Sequence, residues 1–183
     1  AMVQPKIKDL ANPDHFEYAG AAGGYLDIMG LPYCRGRVGS KCEKDSGQYD
    51  NNMQVTWVSG ACLVVRKSVF EALNGFDASF FMHFEEIDLC LRAQAEGHQV
   101  WAVGKSEVYH KGAASLSKEN PRKLYYNIRN SLLTYTKTLP LIPLLWVYVA
   151  RGALDSTLLL FFMLQLKFDH VYAIIRAYDA FFD

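Results

Sequence analysis

Residues 80–92 read FFMHFEEIDLCLR, with Glu85, Glu86 and Asp88 crowded together, His83 shortly before them and Arg92 one turn after. Phe84, Ile87 and Leu91 recur at the three-and-four spacing of a buried stripe, and Gly97 stands where helices commonly stop. The spacing therefore predicts a helix that opens at the acidic pair. Two explanations compete for the carboxylates. Acidic side chains are favoured in any first helical turn, where they meet unpaired backbone N–H groups and the positive end of the macrodipole. A carboxylate placed there also stays ionised readily, as a general base acting on a hydroxyl group must. On the helical projection Asp88 and Arg92 form an ion pair one turn apart, Glu85 shares their side, and Glu86 points away from that trio.

Composition narrows the class. The chain has 183 residues, 51% of them hydrophobic and 14% aromatic, which suits one domain with a real core and argues against disorder. Lysine plus arginine (19) balances aspartate plus glutamate (19), so no global field draws the chain to nucleic acid or another polyanion. Cys34, Cys42, Cys62 and Cys90 show no Cys-x-x-Cys spacing and read as reduced thiols, which fits a cytoplasmic setting. The opening AMVQPKIKDL lacks the basic start, apolar run and cleavage site of a secretory signal. The expectation is a fragment of a longer polypeptide.

Residues 18–52 hold seven of the thirteen glycines and read as long loops. GAAGG and GRVGSK there lack the spacing of a phosphate-binding fingerprint, and no clear strand precedes either. Beyond them, VTWVSGACLVVR (55–66) reads as a strand bent at Gly60, and Ser68 with Glu71 as a capping box opening a short helix that Gly75 closes. HQVWAV and SEVYH read as two short strands about a turn at Gly104, the second delivering His110 into a Gly-Ala-Ala-Ser loop. Asn120 and Pro121 start a long helix that Pro140 ends, with Leu124, Ile128 and Leu132 as its buried stripe and Arg122, Tyr125, Tyr126 and Arg129 on neighbouring faces.

The tail is the most apolar part. LPLIPLLWVYVA and STLLLFFMLQL are separated by Arg151 and Asp155, and each uncharged run falls short of the roughly 20 residues of a spanning helix. They read as helices at a membrane interface, with Trp146, Tyr148, Phe161, Phe168, Arg151, Lys167 and Arg176 suited to a headgroup boundary; the competing reading is a soluble core or a dimer contact.

Taken in order, residues 57–115 carry a Gly-Ala segment followed by Arg, a Gly-Phe-Asp turn, the Phe-Glu-Glu-x-Asp-Leu-Cys-Leu-Arg helix and a Tyr-His strand end. This series resembles the C-terminal half of family 2 glycosyltransferases with the GT-A fold, in particular the bacterial rhamnosyltransferase-like members that build cell-surface polysaccharides. The resemblance is close from Val55 to Asn130 and looser on either side. It implies an α/β fold: the C-terminal half of a GT-A, Rossmann-like domain, with a short mixed sheet, flanking helices and apolar C-terminal helices. Residues 1–138 are expected to form this acceptor-side half, and residues 139–183 an apolar helical tail that is membrane-interfacial or dimerising.

By that resemblance Glu86 is the catalytic base of an inverting transfer from a nucleotide-sugar donor to a polysaccharide or lipid-linked acceptor, with Glu85 and Asp88 as rivals. The family usually has Asp where this chain has Glu86, a difference of one methylene. His110 matches a position that ligates a divalent cation, Mn²⁺ or Mg²⁺, in some relatives. Trp57, Ser59 and Gly60 resemble the wall against donor sugar or acceptor, and Arg122 and Arg129 suit diphosphate oxygens. The family's Asp-x-Asp metal motif occurs nowhere in the chain, so the nucleotide-binding half is expected upstream and the segment alone is expected to be inactive. The implied location is the cytoplasmic face of the inner membrane, with a homodimer left open. The alternative is a non-catalytic docking or assembly module that keeps a degenerate form of this fold.

Overall fold

A computed structural model describes residues 1–112 and 120–183. The Gly-Ala-Ala-Ser loop expected after His110 lies, beyond Gly112, outside the described residues. The strands are β1 (Met2–Asp9), β2 (Gly24–Leu26), β3 (Pro32–Cys34), β4 (Arg37–Val38), β5 (Lys41–Cys42), β6 (Met53–Gln54), β7 (Val64–Val65) and β8 (Val100–His110). The helices are α1 (Lys67–Ala72), α2 (Glu85–Ala95), α3 (Pro121–Thr138), α4 (Leu141–Leu164) and α5 (Phe168–Phe182). The elements group into two compact units: one from residues 1–27 and 31–77 with the described part of 86–114, the other from 28–30 and 78–85 with the described part of 115–183.

The first unit is built on a mixed four-stranded sheet in the order β6-β8-β1-β7. β1 runs parallel to β8, and β7 and β6 close the two edges antiparallel. With helices flanking it, and an apolar helix toward the C-terminus, the chain is a mixed α/β fold matching a GT-A-like fragment.

Three local readings are corrected here. The opening residues form β1, a central strand that does precede GAAGG. Its lysines and glutamine hide it from hydropathy, yet Gln4 and Lys6 are buried because each finds partners. Gln4 Nε2 donates to the carbonyls of Pro5, Gly20 and Ala21 while its Oε1 accepts from the Ser59 N–H at 2.7 Å. The segment VTWVSGACLVVR is not one strand: Trp57 makes an isolated bridge to Gly24, Ser59 caps a 3₁₀ turn at Gly60–Cys62, and only Val64–Val65 pairs with β1. HQVWAV and SEVYH are one continuous strand, β8, in which Gly104 is not a turn. Glycine is required there because the backbone of Tyr49 and Asp50 approaches so closely that a Cβ would lie 2.3 Å from the Tyr49 carbonyl oxygen. The irregularity appears instead as a register shift, Pro5 facing Val103 and Lys6 facing Glu107.

The capping box is also corrected. Helix α1 starts two residues earlier, with Arg66 at the cap and no side-chain cap bond, and Glu71 is engaged with Lys67 at 3.5 Å instead. Gly75 does follow the helix end, with φ +65°.

Lys6 anchors an ion cluster in this unit, its Nζ lying 2.8 Å from Asp45, 2.6 Å from Asp50 and 3.2 Å from Glu107, with Lys8 joining at Asp45 and Glu107. Burial alone would raise the Asp45 carboxyl, but hydrogen bonds from Lys6, the Gly47 N–H and Lys8 hold it below the usual carboxylate range. A depressed carboxylate lends stability above its unfolded pKa and loses it as pH falls through the folded value. The contribution of Asp45 to the melting temperature is therefore expected to be constant from neutrality to about pH 4 and to be lost below that. Thermal unfolding of wild type against Asp45→Asn checks this: the variant should lose much of the difference between neutral and acid pH.

The second unit is helical. Asn120 accepts from the Arg122 N–H at 2.9 Å and Pro121 occupies the first turn of α3, as the sequence predicts. Ile128 and Leu132 are buried against Ile174 and Ala177 of α5, with Leu124 packed at the edge. The two apolar runs of the tail are one helix: α4 spans 24 residues and is long and apolar enough to cross a membrane by length and composition. Arg151 and Asp155 do not interrupt it, because they sit one turn apart, bond to each other at 3.3 Å, and Asp155 accepts from the Tyr178 hydroxyl of α5 at 2.9 Å. By packing, α3 groups with α5, so the change in composition at residue 139 falls inside this unit.

Candidate functional site

Helix α2 begins at Glu85 and carries Glu86 and Asp88 as its spacing predicts. Asp88 is fully buried and accepts from Arg92 Nε at 2.7 Å, while the other guanidinium nitrogens reach the Leu73 and Gly75 carbonyls at 2.7 and 2.8 Å. Arg92 thus ties the end of α1 to α2, and Asp88 has the structural role its spacing suggests. Glu86 is half-buried beside Gly60, whose missing Cβ would lie 3.9 Å from Glu86 Oε1. The first unit therefore gathers Glu86 and the exposed Gly60 turn.

Trp57 and Ser59 hold that turn from beneath. Trp57 is 4% exposed, stacks so tightly under Gly24 that a Cβ there would meet its ring, and donates Nε1 to the Tyr25 carbonyl at 3.0 Å. Ser59 is buried, its Oγ accepting from the Ala61 N–H at 3.2 Å. Of the three residues expected to form a wall, only Gly60 reaches the surface. Cys34 and Cys90 are buried as well, and burial pushes their thiols up, to about 11 and about 12.

His110 ends β8, and its Nδ1 lies 3.5 Å from Oε2 of Glu17, a buried carboxylate that also accepts from the Ala19 N–H at 2.7 Å. Gly112 must be small at this point, since a Cβ would lie 2.3 Å from Glu17 Oε1. The approach is a proximity of charges and not a hydrogen bond, since His110 Nδ1 is buried with no hydrogen-bond partner among the described residues. Among the described residues no group of three or more His, Cys, Asp and Glu side chains gathers to hold a metal ion. His110, with Glu17 beside it, supplies a single ligand-type side chain at this point. Sequence reasoning missed Glu17, because only the β1–β8 pairing brings residue 17 near residue 110.

The helical unit holds the approach to Glu85. Phe81, His83 and Phe84 have φ of 60°, 64° and 74°, a run of left-handed residues that side chains rarely tolerate. Asn130, fully buried on α3, compensates: its Nδ2 reaches the carbonyls of Phe80, Met82 and His83 at 3.1, 2.9 and 2.8 Å. Arg129 braces the same segment through Ser79 O and Asn130 Oδ1, both at 3.0 Å. Burial, with Lys123 nearby, lowers the His83 pKa, so its imidazole is neutral near pH 7. Glu85 Oε2 is buried with no hydrogen-bond partner among the described residues. Arg122 is exposed one helical turn from Tyr125 and Tyr126 and, seven positions before Arg129, lies along the same side of α3.

No family model matches the chain. Over 65 residues it is 40% identical to the N-acetylglucosaminyl-diphospho-decaprenol L-rhamnosyltransferase of Mycobacterium tuberculosis, covering 36% of this chain and 21% of that protein. Over 56 residues it is 41% identical to the rhamnosyltransferase WbbL of Escherichia coli, covering 31% and 21%. Over 88 residues it is 30% identical to a low-salt glycan biosynthesis hexosyltransferase of Haloferax volcanii, covering 48% and 29%. The homology to glycosyltransferases is partial. The chain spans between a fifth and a third of the length of these curated relatives, 21% to 29%.

Proposed function

We propose that this chain is the acceptor-side part of an inverting glycosyltransferase that moves a hexosyl or rhamnosyl group from a nucleotide sugar to a polysaccharide or lipid-linked acceptor in cell-surface glycan synthesis. The observation that carries this reading is the half-buried Glu86 carboxylate on the first turn of α2, facing the Gly60 turn, in a chain partly homologous to sugar transferases. Glu86 takes the proton of an acceptor hydroxyl as its oxygen bonds to the anomeric carbon; the carbon–oxygen bond to the nucleotide diphosphate breaks, and one displacement inverts that carbon. Buried Asp88 with Arg92 fixes the helix, and Asn130 with Arg129 holds the left-handed segment before Glu85. His110, beside Glu17, is the residue of this chain that would hold Mn²⁺ or Mg²⁺. Such a cation, when bound, offsets charge developing on the departing diphosphate.

The apolar α4 supports a seat at a membrane surface, the cytoplasmic face of the inner membrane in this reading. That helix also favours a second reading, a docking module that binds the membrane without turning over sugar. Isothermal titration of UDP- and dTDP-sugars with Mn²⁺, against this chain and against the complete gene product, separates the two. Binding by the complete product supports the transferase; no donor binding by either form favours the docking module. In the transferase reading Glu17→Gln is expected to weaken Mn²⁺ binding about 10-fold or more while leaving the melting temperature nearly unchanged. Titration of Mn²⁺ with the donor present reads this, and unaltered affinity would remove Glu17 from the site.

A further inference from the structure

Helices α3 and α5 enclose a groove of about 470 Å³ that the proposed sugar chemistry does not use. Arg122, Tyr125 and Tyr126 line one side, and Asp169, Tyr172 and Arg176 the other. The lining brings two guanidinium groups against one carboxylate, a net positive site for an anion. Among the described residues neither arginine forms an ion pair; Arg176 has the Tyr172 hydroxyl at 3.5 Å, that ring beneath it, and the charge of Asp179 nearby on α5. Tyr125 and Tyr126 meet edge to face at 4.9 Å, which stiffens the α3 wall.

The surroundings of the groove say which anion fits. On α5 the exposed residues Phe168, Tyr172, Ile175 and Phe182 recur at four, three and seven positions, one helical stripe, with 63%, 61%, 53% and 79% of their surfaces open. Tyr172 belongs to both stripe and groove, and Arg176 directly follows Ile175. A soluble phosphate would need the arginines but not the aromatic and aliphatic stripe beside them. An anionic lipid needs both: guanidinium groups for its phosphate, tyrosines at the level of its glycerol, and apolar side chains for the acyl boundary.

We propose that the α3–α5 groove binds the phosphate of an anionic membrane lipid through Arg122 and Arg176, while Phe168, Ile175 and Phe182 enter the outer edge of the hydrocarbon. This rests on the membrane seat proposed above and supplies its headgroup preference.

Vesicle flotation of the 183-residue chain tests it. One set of vesicles is phosphatidylcholine alone and the other contains about one-third phosphatidylglycerol. The chain is expected to bind the anionic vesicles more tightly. The double variant Arg122→Gln/Arg176→Gln should lose about 10-fold or more of that affinity, since each cation near an anionic surface contributes roughly fivefold, and keep its binding to phosphatidylcholine. Both arginines are exposed, so circular dichroism of the variant should match wild type. Lys105→Gln/Lys111→Gln, at exposed lysines of the other unit, is the control for general charge and should change affinity far less. Equal loss in both double variants, or none in the arginine pair, overturns the groove assignment while leaving the membrane seat standing. Flotation with neither vesicle overturns both. Titration with inorganic diphosphate closes the remaining route: arginine-dependent binding of that ion without an arginine-dependent difference between vesicles would assign the groove to a soluble anion and overturn the lipid assignment.

Discussion

Glu86→Gln is expected to lower sugar transfer by the complete gene product about 10²- to 10⁴-fold, the range a positioned general base supplies, with donor affinity nearly unchanged. The amide keeps the size of the side chain and removes the ability to take a proton. Glu86 is half-buried on the first turn of α2, so the substitution leaves the helix and its Asp88–Arg92 tie in place. Glu85→Gln is the matched comparison. Glu85 groups with the segment that Asn130 and Arg129 hold, so its loss is expected to cost less than about 10-fold in turnover. A larger effect at Glu85 than at Glu86 would move the base by one residue. Full activity in both variants would remove the acidic pair from the chemistry.

The largest expected effect on stability is at Arg92. Arg92→Met removes the guanidinium from the fully buried Asp88 carboxylate and strips donors from the Leu73 and Gly75 carbonyls. Removing one member of a buried pair costs about 3–5 kcal/mol. For a chain of this size that is a fall in melting temperature of roughly 10 °C. The physical account makes a second demand: adding Asp88→Leu to Arg92→Met should recover part of the loss, because a buried carboxylate that has lost its guanidinium is then gone. Thermal unfolding of wild type, single and double variants reads both. If the double variant is no more stable than the single one, the cost lies in the two carbonyls rather than in the broken Asp88–Arg92 ion pair.

Periodicity made α2 and α3 legible, since Phe84, Ile87, Ile128 and Leu132 are buried where a three-and-four spacing puts them, with Leu91 and Leu124 of the same stripes half-buried. Asn120 with Pro121 marked the start of α3 to the residue because capping is local chemistry. β1 was hidden for the opposite reason. Apart from the adjacent Pro5 carbonyl, the partners that bury its Gln4 and Lys6 lie 16 to 101 residues away, and nothing in a local window announces a polar side chain that will be satisfied at such range. The same limit hid Glu17 behind His110 and Asn130 behind the left-handed segment, both of which depend on long-range pairing. α4 shows a third kind of failure. Arg151 and Asp155 look like a break in the apolar run when counted singly, but their spacing of four lets them neutralise one another inside a continuous helix.

The measurement that bears most directly on the central claim is sugar transfer by the complete gene product from dTDP-rhamnose and UDP-hexoses to a lipid-diphosphate-linked acceptor, with the anomeric configuration of the product read by NMR. The account predicts release of nucleoside diphosphate together with a product of inverted configuration, lost in Glu86→Gln. Transfer with retained configuration, or no release of nucleotide from any of these donors, would contradict it.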